Sequence, residues 1–222
     1  MSRIYLVRHG QATLEPGGAG GLTPTGVRQC EALAGHWRAI GRRIDLVFAG
    51  TLPRQLESAQ AFVRAAAGPA DAAASVHHLP GIEEYDHLAL IAAHAGPAGI
   101  PGDARDLHGR LAPALQAWVE NRLDGVERFA DFRARCGAAL ATAIGTTGRH
   151  RQSVLFGSAG SLAAAMQSFL GVGDHDLLKL KLNFYNTGVS CLLSDGRRVT
   201  IESLNSIGHL EQPGLLPLIT HR

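Results

Sequence analysis

The sequence predicts one α/β domain, a three-layer sandwich in which a mixed, mainly parallel sheet is flanked by helices. Three observations predict it. Short apolar runs such as Ile4, Tyr5, Leu6, Val7 and Leu46, Val47, Phe48, Ala49 carry no polar face, as strands buried on both sides do. These runs close in glycine-containing turns and are followed by apolar residues at helical spacing, so a strand, turn, helix order repeats. The 222 residues, 45% apolar and 18% charged, supply one sizeable core and exclude a disordered chain.

The first strand ends in Arg8, His9 and Gly10. In open α/β sheets ligands bind at the carboxyl ends of the strands, so these residues are delivered to a crevice. A guanidinium offers a planar fork of donors and a neutral imidazole a lone pair, a combination that suits an anionic phosphoryl group. Gly10 lets the backbone pass close to such a ligand. Residues 11–22 are rich in glycine and read as a loop. Thr23 and Pro24 then supply an N-cap and a first-turn proline for a helix whose buried stripe is Val27, Leu33, Ala34, Trp37 and Ile40, ending near Gly41.

After the second strand, the turn at Gly50, Thr51, Leu52 and Pro53 places Arg54 in the first turn of the next helix, where helix N-terminus and guanidinium together suit phosphate. A third strand at 76–79 leads to a loop with adjacent carboxylates, Glu83 and Glu84. Residues 89–144 read as mostly helical, interrupted by glycines and prolines between 96 and 102 and by Asp124 and Gly125. A buried strand at 153–156 runs through Ser158 into a helix carrying Leu162, Ala165, Met166, Phe169 and Leu170. Ser158 is suited both to cap that helix and, with the free N–H groups of the first turn, to bind an anion. A helical pattern follows Asp174, strands at 189–193 and 199–204 are joined through Asp195 and Gly196, and the tail reads as loop.

The chain resembles the histidine phosphatase superfamily, which includes the cofactor-dependent phosphoglycerate mutases, in four regions that occur in the same order. They are the strand followed by Arg8, His9, Gly10; the strand, turn and helix bearing Arg54; the run Leu79, Pro80, Gly81, Ile82, Glu83, Glu84, Tyr85, Asp86, His87; and the strand leading to Gly157, Ser158, Ala159, Gly160. The third and fourth are similar to the Leu-Asn-Glu-Phe/Tyr-Asp-His and Thr-Ser-Gly-Gly segments of one bacterial branch; Asn186, Thr187, Gly188 and the residues from Asn205 to His209 also resemble that branch. The resemblance implies that His9 is a nucleophile forming a phosphohistidine, that Arg8 and Arg54 clamp the phosphoryl group, and that Glu84 is the general acid, with Glu83 as second choice.

It also implies that Ser158 stands where most of the superfamily has a second histidine. Losing a charge-assisted hydrogen bond there costs roughly 1.5 to 3 kcal/mol, or about tenfold to a hundredfold in rate. His209 is a remote candidate for replacing that histidine. Residues 88–125 correspond to a helical cap over the active-site mouth, within a single domain spanning 1–222. The pattern departs from the family after Gly10: Ala12 and Glu15 stand at positions usually held by Thr and Asn, and Glu15 would repel a phosphate unless the loop turns it outward.

The function expected on this basis is a phosphomonoester phosphatase for a small phosphorylated metabolite. The alternatives are a phosphate-ligand binding or regulatory protein with weak or no turnover, and phosphoglycerate mutase-type transfer, disfavoured because Gln11 to Glu15 lack a mutase-like continuation. A serine hydrolase built from Ser158, Asp195 and His209 fails because Phe156 stands where the nucleophile elbow needs glycine. No cofactor is implied. No metal is expected either: His77, His78, His87 and His94 lack zincin spacing, and His77 and His78 point to opposite faces of a strand.

A net charge of +2 with scattered basic residues argues against nucleic acid, and no apolar stretch reaches membrane-spanning length. With no signal-like segment at the start, the cytoplasm is the expected location. Cys30, Cys136 and Cys191 are odd in number and far apart, as buried thiols are. The expected partner is a small phosphorylated substrate; the sequence is compatible with a homodimer but does not set the oligomeric state.

Overall fold

In the computed structural model, which describes residues 1–13, 20–67, 75–99, 104–181 and 183–221, the first apolar run forms β1 (Ser2–Arg8) in the interior of a six-stranded sheet. The other strands are β2 (Leu46–Ala49), β3 (Val76–His78), β4 (Gln152–Gly157), β5 (Val189–Ser194) and β6 (Val199–Ser206). Their order is β3-β2-β4-β1-β5-β6. The pairs β3/β2, β2/β4 and β4/β1 are parallel, whereas β1/β5 and β5/β6 are antiparallel, so the sheet is mixed and mainly parallel as expected. The four parallel strands bring the turns that follow β1, β2, β3 and β4 to one edge of the sheet, where ligand sites form.

Side chains alternate along β1 and build one core on each face of the sheet. Tyr5 and Val7 pack with Leu33 and Trp37 of α1 (Pro24–Ala39) and Phe62 of α2 (Pro53–Ala66). Ile4 and Leu6 share the opposite core with residues of α5 (Phe129–Thr147) and α6 (Ala159–Leu170). Helices on both faces of one sheet are the expected three layers.

Among its described residues, the segment 88–125 holds two α-helices and a 3-10 turn at Pro97–Gly99. After α3 (His87–Ala95), α4 (Ala104–Val119) packs against it, and Leu90, Ile91, Leu107, Leu115 and Trp118 join the same core as Tyr85, Phe129 and Phe132. The pattern after Asp174 forms α7 (Asp174–Lys181). Asp195 closes the β5–β6 hairpin by accepting from the Arg197 and Arg198 N–H groups.

Two segments read as plain loop are more ordered than that at the sheet edge. The ends of the 11–22 loop are pinned by an Ala12–Leu22 bridge and by Thr13 N to Gly21 O; Glu15 and the glycine-rich centre lie outside the described residues. The tail makes a 3-10 turn at Leu216–Leu218 and is tied to the sheet edge by Asn186 N to Thr220 O and by Gln29 Nε2 to Leu218 O. All three cysteines are buried and free. Among the described residues no helix is long and apolar enough to cross a membrane.

Candidate active site

His9 follows β1 immediately, and its N–H donates to Gly157 O at 2.8 Å, which continues the β1–β4 ladder and sets His9 and Ser158 side by side. His9 is 7% exposed. Its Nδ1 lies 2.7 Å from Gly10 O. A carbonyl can only accept, so Nδ1 carries the proton and Nε2 presents its lone pair. Burial, reinforced by the positive charges of Arg8 and Arg54, holds His9 well below the usual imidazole range against the opposing bond to Gly10. The ring is therefore neutral at neutral pH, with a lone pair on the nitrogen that a nucleophile needs.

Gly10 is fixed by contacts within the protein. Its N–H is used by Ser58 Oγ at 3.0 Å rather than offered to a ligand, and a Cβ there would stand 2.5 Å from Gly26 O in the first turn of α1. The glycine is required by the approach of two backbones. Ser58 in turn donates to Arg54 O at 2.6 Å, coupling the β1 turn to the first turns of α2.

Arg8 Nη1 donates to Phe184 O at 2.6 Å and to His221 O at 2.8 Å, while its buried Nε has no partner among the described residues. Burial pushes Arg8 down to about 10, with Glu84 opposing and Arg54 adding to the shift, so it remains a cation at neutral pH. Arg54 is 8% exposed and likewise lowered by burial, against the pull of Glu84. Two guanidiniums sharing the field of one carboxylate leave an excess of positive charge that an anion neutralises.

The two adjacent glutamates are held differently. Glu83 Oε1 accepts from Thr51 Oγ1 at 2.7 Å and Thr51 N at 3.2 Å, and its Oε2 accepts from Gly81 N at 2.7 Å. Burial alone would raise Glu83, but the hydrogen bonds from Thr51 and Gly81 outweigh it and hold the carboxyl below its usual range. Glu84 instead reaches the first turn of α6, where Oε2 accepts from Gly160 N at 2.8 Å. The free N–H groups expected at that helix start are thus partly taken by the carboxylate.

Ser158 is the N-cap of α6 and 1% exposed; its N–H donates to Ser161 Oγ at 3.1 Å. Gln55 Nε2 donates to Ser158 Oγ at 2.9 Å and to Ile82 O at 3.2 Å, which leaves the Ser158 hydroxyl proton available for donation. His209 does not join the site. Thr187 Oγ1 donates to Asn186 O, so His209 Nε2 is the donor in its 2.9 Å contact with Thr187 Oγ1. Thr187 N in turn bonds to Arg8 O, so His209 buttresses the end of β1 from the α1 side. Ser158 is engaged with Gln55 and His209 with Thr187, which is no hydrolase triad.

Sequence reasoning brought out Arg8, His9, Arg54, Glu83, Glu84 and Ser158, and all lie at the turns on this edge. It missed Gln55, Ser58 and Arg135. Arg135 Nη1 donates to Gly81 O at 3.0 Å and Glu83 O at 2.8 Å and fixes the glutamate loop from α5. Gln55 and Ser58 carried a signal, as polar residues on the buried face of α2.

Several solved structures share the fold. YhfR from Bacillus stearothermophilus superposes with a TM-score of 0.73 at 17% identity, covering 94% of this chain and 99% of that one. Phosphoserine phosphatase of Entamoeba histolytica in complex with 3-phosphoglyceric acid gives 0.68 at 18% identity, covering 95% and 100%. The alpha-ribazole phosphatase of Shigella flexneri gives 0.65 at 20% identity, covering 92% and 96%. No curated protein matches the sequence. The sequence model of the histidine phosphatase superfamily (branch 1) matches residues 4–207, nearly the whole chain with β1, β2 and β4 and the turns that carry this site, and the protein belongs to that superfamily.

Proposed function

We propose that the protein is a phosphomonoester phosphatase that acts on a small phosphorylated metabolite through a phosphohistidine intermediate. The observation that carries this reading is the state of His9: a buried, neutral imidazole with its proton on Nδ1, flanked by two guanidiniums. Nε2 attacks phosphorus as the ester P–O bond breaks, and Arg8 and Arg54 bind the equatorial oxygens as charge develops on them. Arg8 Nε, which lacks a partner among the described residues, is the donor free for this. The Ser158 hydroxyl supplies a neutral donor beside it, in place of the second histidine of most relatives.

Glu84 gives its proton to the departing alkoxide, leaving an alcohol and a phosphohistidine. The resulting carboxylate then takes a proton from water, whose oxygen attacks phosphorus and releases His9 and inorganic phosphate. Glu83 holds Thr51 and Gly81 in place and is the less suited of the pair, since its hydrogen bonds favour the charged form. The α3–α4 segment within 88–125 caps the mouth and restricts entry. Small phosphorylated substrates fit relatives of this fold, one a phosphoserine phosphatase and another an alpha-ribazole phosphatase.

The test is phosphate release from a panel of phosphomonoesters by the wild type and by His9→Ala. Release by the wild type that disappears in His9→Ala is expected; release that persists contradicts the assignment. A second reading, a phosphate-binding protein with little turnover, is favoured by the neutral Ser158 hydroxyl, and thermal stabilisation by these esters with no release selects it.

A further inference from the structure

A cavity of about 170 Å3 lies between α1 and the strands β1, β5 and β6, and none of its lining residues belongs to the site around His9. It holds several water molecules, and so a small ligand. Its charge is not balanced from within. The Arg42 guanidinium lies over the rings of Tyr5 and Trp37, 4.6 and 5.1 Å from their centroids, and makes no ion pair among the described residues. Stacking on two aromatic faces holds the cation in place and leaves its N–H edge for an anion. The carboxylate on the same wall, Glu202, is already paired with Arg3 at 3.2 Å.

Two imidazoles on the wall complete the pattern. Gln212 Nε2 can only donate, so His36 Nδ1 accepts from it at 3.3 Å and the His36 proton sits on Nε2. His209, 2% exposed, uses its Nε2–H on Thr187 Oγ1 at 2.9 Å, which leaves a lone pair on Nδ1. That nitrogen makes no hydrogen bond among the described residues, and burial keeps the ring neutral. The cavity therefore presents a cation and an N–H donor together with one acceptor. A carboxylate meets the first two, and a hydroxyl gives its proton to the third. An ammonium group is repelled by Arg42, and a carboxylate alone has no proton for His209.

We propose that this cavity is a second ligand site, one that takes a small hydroxycarboxylate: Arg42 and His36 hold the carboxylate, and His209 Nδ1 accepts from the hydroxyl. The assignment is independent of the phosphatase reading, because it uses no residue of the His9 site.

Titration of the 15N-labelled protein with racemic lactate, propionate and propane-1,2-diol tests it, read from the amide shifts of Ser206 and Gly208 on the cavity wall. The three share one carbon skeleton and carry both groups, the carboxylate alone or hydroxyls alone. Lactate is expected to give saturable shifts, with a Kd about three- to tenfold below that of propionate and at least about tenfold below that of the diol. Arg42→Gln weakens lactate about tenfold or more, and His209→Phe weakens it about three- to tenfold. His209→Gln, which keeps a side-chain donor and acceptor, recovers part of the loss, and thermal melts establish that each variant is folded. Arg54→Ala, a change at the other anion site, leaves lactate binding intact. No saturable shift with lactate, equal affinities for lactate and propionate, or binding that survives Arg42→Gln overturns the proposal. Binding lost in Arg54→Ala assigns lactate to the His9 site and overturns it as well.

Discussion

Glu84 Oε2 accepts a hydrogen bond from Gly160 N at 2.8 Å, so the carboxylate that shares the field of Arg8 and Arg54 is docked on the first turn of α6. That contact ties Glu84, the proposed proton donor, to the β4 turn carrying Ser158. It also makes the spacing sensitive to a single methyl group.

Gly160→Ala tests the docking. A Cβ there would lie 2.4 Å from Glu84 Oε1 and 2.7 Å from Tyr85 Cε1. The carboxylate can swing aside, but the Tyr85 ring is packed against Trp118 and Phe132 at centroid distances of 5.0 and 5.6 Å. The acid moves, and kcat falls about tenfold to a hundredfold in steady-state assays, while the affinity for inorganic phosphate changes little. An unchanged kcat contradicts the role of this contact.

The two glutamates separate by leaving group and by stability. Glu84→Gln lowers kcat for alkyl phosphates by about a hundredfold or more, and lowers it much less for p-nitrophenyl phosphate, whose phenolate departs without a proton. Glu83→Gln weakens the accepting group for Thr51 and Gly81, so it depresses Tm more than kcat. Because folding lowers the Glu83 carboxyl, its contribution to stability is present at neutral pH and fades as pH falls through the carboxylate range. A variant pair with the opposite kinetic ranking transfers the acid role to Glu83.

Two buried histidines set the acid side of the stability profile. His9 is held far below the ordinary imidazole range, and burial, with a smaller push from His36, takes His209 down to about 4. The unfolded chain binds these protons near pH 6.5 while the folded one does not, so stability is full above pH 6.5 and declines below it. For His209 the loss by pH 4 is on the order of 3 kcal/mol. Thermal melts from pH 7.5 to 4 read the decline, and His209→Gln flattens it. Imidazole 15N resonances of His9 are expected to keep the Nδ1–H tautomer as pH falls through the ordinary imidazole range; protonation of both nitrogens near pH 6.5 contradicts the neutral nucleophile.

Gln55 and Ser158 form one unit, through the 2.9 Å bond from Gln55 Nε2 to Ser158 Oγ. Ser158→Ala removes the proposed donor to the phosphoryl group and is expected to lower kcat/KM by about three- to tenfold. Gln55→Leu lowers it by a similar factor by freeing the hydroxyl to rotate. In a double-mutant cycle the two losses are not additive, since the second change acts on a contact already lost. Additive losses show that Gln55 does not act through Ser158.

The strands that build the site were legible because their apolar runs of three or four residues end in turn residues, and the turns after them exposed Arg8, His9, Arg54 and Ser158 at one edge. The residues that orient these groups were not legible. Gln55 bonds Ser158 from 103 positions away and Arg135 bonds Glu83 from 52, separations that leave no local periodicity or spacing to read. The packing of Gly10 on Gly26 was not legible either, since that contact is set by how α1 returns to the β1 turn. The choice between Glu83 and Glu84 rested on resemblance alone; the structure adds the physical difference that one is tied by Thr51 and Gly81 and the other reaches α6.

Rapid acid-free quench of the enzyme with a 32P-labelled phosphomonoester, followed by acid and alkali treatment of the trapped protein, tests the phosphohistidine most directly. Label that is stable in alkali, released by mild acid and absent from His9→Ala is the predicted result. Turnover with no labelled protein at any quench time, or label that survives in His9→Ala, contradicts it.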